Sequence, residues 1–219
     1  VTPRLQYIAD LLLRELLEVD FEFTNSTDRF YQYSGPKINY SKEKTGHDLF
    51  IYSHPLLFET DIKHQRLEYG EHHGVVTVFS NNHEADLPYD PFAAAFFFVS
   101  RYEEYLEFKE DKYKRFRAEK SAAYYKGCHG VPVVNHYALH IRQILEKHFP
   151  EIIFPSKEYQ FILTYDIDQA YKFSNLNWYR AYGGRIKAMV RRDKNFSIQR
   201  KKVLANTLQD PFNTFDYQF

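Results

Sequence analysis

The segment Asp90-Pro-Phe-Ala-Ala-Ala-Phe-Phe-Phe-Val99 narrows the possible folds more than any other. Asp is a favoured N-cap and Pro fits the first helical position, so a helix is predicted to start at Asp90. Three Ala followed by three Phe leave no polar face, and a helix apolar on all sides has to be buried. The run from Phe92 to Val99 is eight residues and is the longest apolar stretch of the chain. A membrane-spanning helix needs roughly 20 such residues, so no transmembrane segment is expected. The pattern continues into Arg101-Tyr-Glu-Glu-Tyr105, and the helix is predicted to extend to Leu106 with a wetter second half.

Other elements follow from periodicity. Leu5, Ile8, Leu12 and Leu16 recur at helical spacing, with Ala9, Leu13 and Leu17 widening the stripe, which predicts an amphipathic helix over Leu5–Leu17 behind Thr2-Pro3. Val19–Phe23 alternates as a half-buried strand does. Leu49-Phe50-Ile51 and Val75–Phe79 read as short buried strands, with a further short strand around Ile38 after the Ser-Gly-Pro turn at 34–36. Val134–His148 reads as a second amphipathic helix, with Leu139, Ile141, Ile144 and Leu145 on its apolar side. Phe161–Thr164 reads as a buried strand. Helices alternating with strands predict an α/β fold. Pro150 and Pro155 bracket a linker, so residues 1–155 are read as one α/β domain and 156–219 as the start of a second.

Charge excludes some partners. The 29 Lys and Arg balance 29 Asp and Glu, whereas a nucleic-acid binder usually carries a basic excess; no nucleic-acid partner is expected. Residues 178–202 hold nine of the basic residues with Asp193 as their one acid, a pattern of solvated helix faces or of anion contacts. Cys128 is the single cysteine, so neither an intrachain disulfide nor a cysteine-based zinc site can form. Val1 opens the chain and Met189 is its one methionine; it reads as a segment of a longer protein.

Three constellations bear on chemistry. Phe161-Ile-Leu-Thr-Tyr-Asp-Ile-Asp168 puts two carboxylates at the end of the expected strand. Ligand sites of α/β proteins gather at strand C-termini. Asp166 and Asp168 could divide the tasks of metal ligand and proton acceptor there, or one of them could cap the following helix. His136 and His140 stand at i, i+4 on a predicted helix, a spacing that chelates zinc and equally occurs on solvated faces. His72-His73, with His64 and His83, falls in segments expected to be polar loops.

The stretches Asp90 to Tyr105, Lys112 to Phe116, Val133-Val-Asn135 and Leu163-Thr-Tyr-Asp-Ile-Asp168 resemble bacterial proteins of the polysaccharide deacetylase family, in the group with an extra domain ahead of the deacetylase-like one. The resemblance spans roughly residues 2–219. It implies that residues 1–155 form an accessory domain and that 156–219 begin a (β/α)-barrel. It further implies metal-dependent hydrolysis of N-acetyl groups on a glycan, with Asp166 as the catalytic base and Asp168 as a ligand of a divalent metal, zinc being the expected one in an imidazole–carboxylate site. The family motif has its two Asp adjacent, whereas Ile167 separates them here. The family's later His-x-x-x-His has no counterpart after His148, the last histidine, so no bound metal is expected in the chain by itself. The competing reading is a non-catalytic glycan-binding or interaction module with a vestigial barrel. Its motivation is the aromatic content of 18%, since sugars stack on exposed Tyr and Phe.

Overall fold

A computed structural model describes the chain except at residues 47, 157, 165, 167–170, 175, 191–193 and 214–219. It divides into two units, Val1–Lys157 and Glu158–Phe219. The architecture is mixed α/β, rich in helix and with few short strands.

In the first unit, α1 (Pro3–Ala9) begins where Thr2 Oγ1 accepts the Leu5 N–H and Pro3 occupies the first turn. The Thr2 hydroxyl in turn donates to the carbonyl of Leu57. The helix continues, wound as a π-helix, over Asp10–Leu16, and Leu5, Ile8, Ala9, Leu12, Leu13 and Leu17 line its buried side as the stripe predicts. The expected strand at Val19–Phe23 does not form. The alternation is real, because Val19, Phe21 and Phe23 pack on the core, but no described strand lies beside them to complete a ladder. A short helix α2 (Thr27–Gln32), capped by Ser26, follows.

Strands β1 (Ile38–Ser41) and β2 (Leu49–Tyr52) pair in parallel, with Tyr40 opposite Ile51. Strands β3 (Gly70–His72) and β4 (Val75–Thr77) form an antiparallel hairpin. Its two-residue turn, His73-Gly74, has φ of 48° and 76°, as a type I′ hairpin turn requires. Space at Gly70 is tight: a Cβ there would lie 2.4 Å from Ser80 Oγ, so that side chain would have to move.

The apolar run forms α3 (Pro91–Val99), with Phe92, Ala93, Ala94, Ala95 and Phe97 buried. Its alanines let α1 and α5 (Val133–His148) approach closely. The helix is shorter than predicted. Arg101 adopts a left-handed backbone at φ 52°, and Tyr102–Tyr105 forms a separate 3₁₀ turn. Another short helix, α4 (Ala122–Tyr125), starts at Ser121. On α5 the buried side is Val133, Tyr137, Ala138, His140, Ile141, Ile144 and Leu145, whereas Leu139, predicted to be apolar-facing, is exposed.

The second unit contains α6 (Trp178–Val190) and α7 (Lys194–Leu204), which pack on each other. The buried strand expected at Phe161–Thr164 is absent. Those residues have no regular structure, and Phe161, Ile162 and Leu163 are 75%, 76% and 58% exposed. The physical reason is a missing partner: among the described residues of this unit there is no strand to satisfy the segment's backbone groups or cover its side chains. A barrel is accordingly not formed by the described residues. The unit's local anchor is Asp210, whose carboxylate accepts N–H groups from Lys172, Phe173, Ser174 and Phe212 at 2.7–3.0 Å. Partial burial pushes its carboxyl up, but these four donors prevail and hold it down at about 2.

Candidate functional site

Asp90 lies at the centre of the best-formed polar arrangement in the first unit. Its side chain is buried at the start of α3. One oxygen accepts the N–H groups of Phe92 and Ala93 at 2.9 and 3.0 Å, which is the cap that the sequence predicts. The other accepts the Tyr40 hydroxyl from β1 at 2.7 Å and the His54 N–H at 2.6 Å. Burial raises its pKa to about 6 against the pull of all four donors. Burial, then the Asp90 charge, keeps the Tyr40 phenol protonated well above its ordinary range, so it remains a donor.

Asp90 forms part of the wall of a partly open cavity of about 540 Å³. Phe79 lies in its floor with a left-handed backbone, φ 59°. A bulky residue in that region is strained, and such strain clusters at ligand sites. The His54 ring stacks on Phe79 at 4.0 Å, and its Nδ1 accepts the Leu56 N–H at 3.3 Å. Burial, helped by Lys42, lowers the His54 pKa to about 4. The ring is therefore neutral at pH 7 with its proton on Nε2.

On the rim, the rings of Tyr52 and His83 stack at 3.6 Å, and Lys42 Nζ lies 4.3 Å over Tyr52. Asn81 completes the lining. Its Oδ1 accepts the His83 N–H at 3.1 Å, which fixes the orientation of the amide. Its Nδ2 is buried with no hydrogen-bond partner. A buried amide donor without a partner costs about 1–3 kcal/mol. Ser80, also in the wall, shares a hydrogen bond with Thr77 at 3.2 Å.

The residues singled out from the sequence have different fates. Asp166 is exposed, and Asp168 lies outside the described residues. Among the described residues no three His, Cys, Asp or Glu side chains are arranged to hold a metal ion. Cys128 is buried, and burial raises its thiol pKa, which favours the unreactive form. His140 does not sit on a wet helix face: it is buried, with Nδ1 2.7 Å from the hydroxyl of fully buried Tyr89. His72 and His73, expected in a loop, terminate β3 and form its turn, and they pack on His140. The cavity itself escaped the sequence reading. Only the Asp90 cap was visible there, because Tyr40, His54 and Asn81 reach the site through long-range contacts.

Among the described residues no helix is long and apolar enough to cross a membrane. No curated protein and no solved structure matches the chain. One family model does match, over residues 1–150, and its family is described as one of unknown function. With most of its length covered by that model, the chain belongs to the family DUF7033.

Proposed function

We propose that the protein acts on a glycan and that its first unit is a carbohydrate-binding accessory module. The observation that carries this reading is the cavity beside Asp90. His54 and His83, backed by the rings of Phe79 and Tyr52 on which they stack, supply aromatic wall of the kind on which the C–H faces of a pyranose stack. Asn81 lines the cavity, and its buried, unpartnered Nδ2 would donate to a hydroxyl or N-acetyl oxygen once the side chain turns toward it. Glu68 offers an acceptor for hydroxyls. A concave site with aromatic walls and a few fixed polar groups is how small ligands are held. Calorimetric titration of the chain with N-acetylated and unmodified oligosaccharides tests the reading. Binding should weaken at least about tenfold in both Tyr52→Ala and Asn81→Ala, each loss exceeding about 1.4 kcal/mol. No binding to any oligosaccharide in a broad panel would sink it.

A second reading, that residues from 158 onward begin a polysaccharide deacetylase-like domain with Asp166 as base and Asp168 as zinc ligand, is supported by the Leu163-Thr-Tyr-Asp-Ile-Asp168 resemblance. The described residues do not fit a zinc site around Asp166, so no catalytic step is assigned to them. Acetate release from N-acetylated glycans by the intact protein, lost in Asp166→Asn, is the expected result; release unchanged by that substitution would remove Asp166 from the reaction.

A further inference from the structure

The β3–β4 hairpin is rooted in the wall of the cavity at both ends. Glu68 and Tyr69, which line the cavity, run directly into β3, and β4 leads through Val78 into Phe79, Ser80 and Asn81 of the same wall. Across this root the Ser80 N–H donates to the Glu68 carbonyl at 3.0 Å. At its tip the hairpin rests on α5 through imidazoles. The ring centroids of His72 and His73 lie 4.7 and 5.8 Å from that of His140, and 4.2 Å from each other. We infer that this contact is an acid-sensitive latch: protonation of its imidazoles favours lifting of the hairpin from α5, which opens the cavity wall, so that acid and the ligand of the cavity oppose each other. The ligand half of this inference rests on the glycan reading; the latch itself does not.

The latch responds to acid because its charges lack a counter-ion. His140 is 3% exposed, with Nδ1 2.7 Å from the hydroxyl of fully buried Tyr89. Burial keeps that phenol protonated, far above its ordinary range, so it supplies a hydrogen-bond partner and no negative charge. The groups whose charges act on His140 are His72 and His73 from the hairpin and His136 from the preceding turn of α5. Once protonated, they repel one another. The carboxylates of neighbouring elements are turned elsewhere. Glu71 lies on the exposed face of β3. Asp90 is engaged by Tyr40, the His54 N–H and the first turn of α3. Of the other elements packed on α5, α3 and β4 carry no titratable side chain and β2 carries Tyr52 alone; on the π-helical continuation of α1, Asp10 pairs with Arg14, and Glu15 is exposed. At neutral pH the Tyr137 hydroxyl, donating to the Val76 carbonyl at 2.7 Å, helps to hold the hairpin down.

Burial, then His72, His73 and His136, lowers the His140 pKa to about 4, and burial, then His73, lowers that of His72. The ordinary value near 6.5 returns when the hairpin lifts and water reaches the rings. Opening therefore takes up protons, and its equilibrium constant rises as pH falls from about 6.5 to about 4. His140 alone multiplies that constant about 20-fold between pH 7 and pH 5, and His72 adds to it in the same direction.

Amide exchange of the ligand-free chain reads the latch directly. Protection of the β3–β4 and Ser80 amides, corrected for the intrinsic pH dependence of exchange, is expected to fall about 20-fold or more from pH 7 to pH 5 while the α3 amides keep theirs. His140→Gln retains a partner for the Tyr89 hydroxyl and cannot become charged, so its hairpin protection should change far less. His72→Gln, at a half-buried position, should also reduce the change, and it carries the test if the buried substitution prevents folding. Hairpin protection that is unchanged in acid, that falls equally in the wild type and the variants, or that falls equally with α3 would overturn the latch. The coupling is read in the same amides. An oligosaccharide that binds at pH 7, added at 100 times its Kd, should raise hairpin protection up to about 100-fold. Binding with no gain in hairpin protection would detach the latch from the cavity, whereas no saccharide binding at all would remove the glycan reading and leave the latch to its exchange result.

Discussion

The hydroxyl of Tyr40 donates to Oδ2 of Asp90 at 2.7 Å, joining β1 to the cap of α3 across 50 positions of sequence. The carboxylate that begins the helix is therefore also the bolt that holds the parallel strand pair against it. Helix start and tertiary docking depend on one side chain.

Removing that side chain should cost more than removing an ordinary cap. A lost N-cap costs about 1 kcal/mol, and leaving a buried donor without an acceptor adds about 1–3 kcal/mol. Asp90→Ala is expected to lose about 2–4 kcal/mol in urea unfolding, against about 1–2 kcal/mol for Tyr40→Phe. The double variant should fall short of the sum. Strict additivity would mean that the two residues do not share an interaction.

The same carboxylate makes stability depend on pH in an unusual direction. Its folded pKa, raised to about 6 by burial, lies above the ordinary value near 3.9. Between these values the folded state binds a proton that the unfolded state has released, so Asp90 contributes most at low pH and its contribution declines as pH rises from about 4 to about 6. Measured against Asp90→Asn, the wild type should gain up to about 3 kcal/mol on going from pH 7 to pH 4. A difference that is flat over this range would show that the folded carboxyl titrates normally.

Asp210 in the second unit has the opposite sign. Its carboxyl is held down at about 2 by four backbone N–H donors. Its stabilisation is complete above the ordinary carboxylate pKa and is lost as pH falls through 2. Amide exchange at Phe173 and Ser174 should accelerate in Asp210→Ala at neutral pH, and in the wild type only in strong acid. Equal exchange in both proteins at neutral pH would remove Asp210 as the anchor of this segment.

Gly70→Ala should destabilise the first unit, because its Cβ would meet Ser80 Oγ at 2.4 Å and Thr77 Oγ1 at 3.1 Å. The Ser80 side chain can rotate away at the expense of its bond to Thr77, so a loss of about 1 kcal/mol is expected. In a Ser80→Ala background, where both the clashing hydroxyl and its bond to Thr77 are already gone, Gly70→Ala should cost much less. A thermal melt of Gly70→Ala that is improved over the wild type would show that the strand has room.

What the sequence determined by itself was local. The Asp90-Pro91 cap, the leucine stripe of α1, the apolar triplet of β2 and the α5 periodicity all became structure, because caps and amphipathic stripes act within a few residues of themselves. Tertiary structure decided the rest. Val19–Phe23 and Phe161–Thr164 have strand-like patterns, yet neither is a strand, since a strand exists only when another segment completes its hydrogen bonds. Arg101 stops α3 through a left-handed backbone that its residue type does not announce. His140 reads as one half of a wet i, i+4 pair until the fold supplies Tyr89 beneath it and His72 and His73 above. The cavity beside Asp90 is assembled from residues 52 to 90 by strand pairing and stacking. No pattern along the chain encodes such contacts, because their energy comes from partners that only the folded chain brings together.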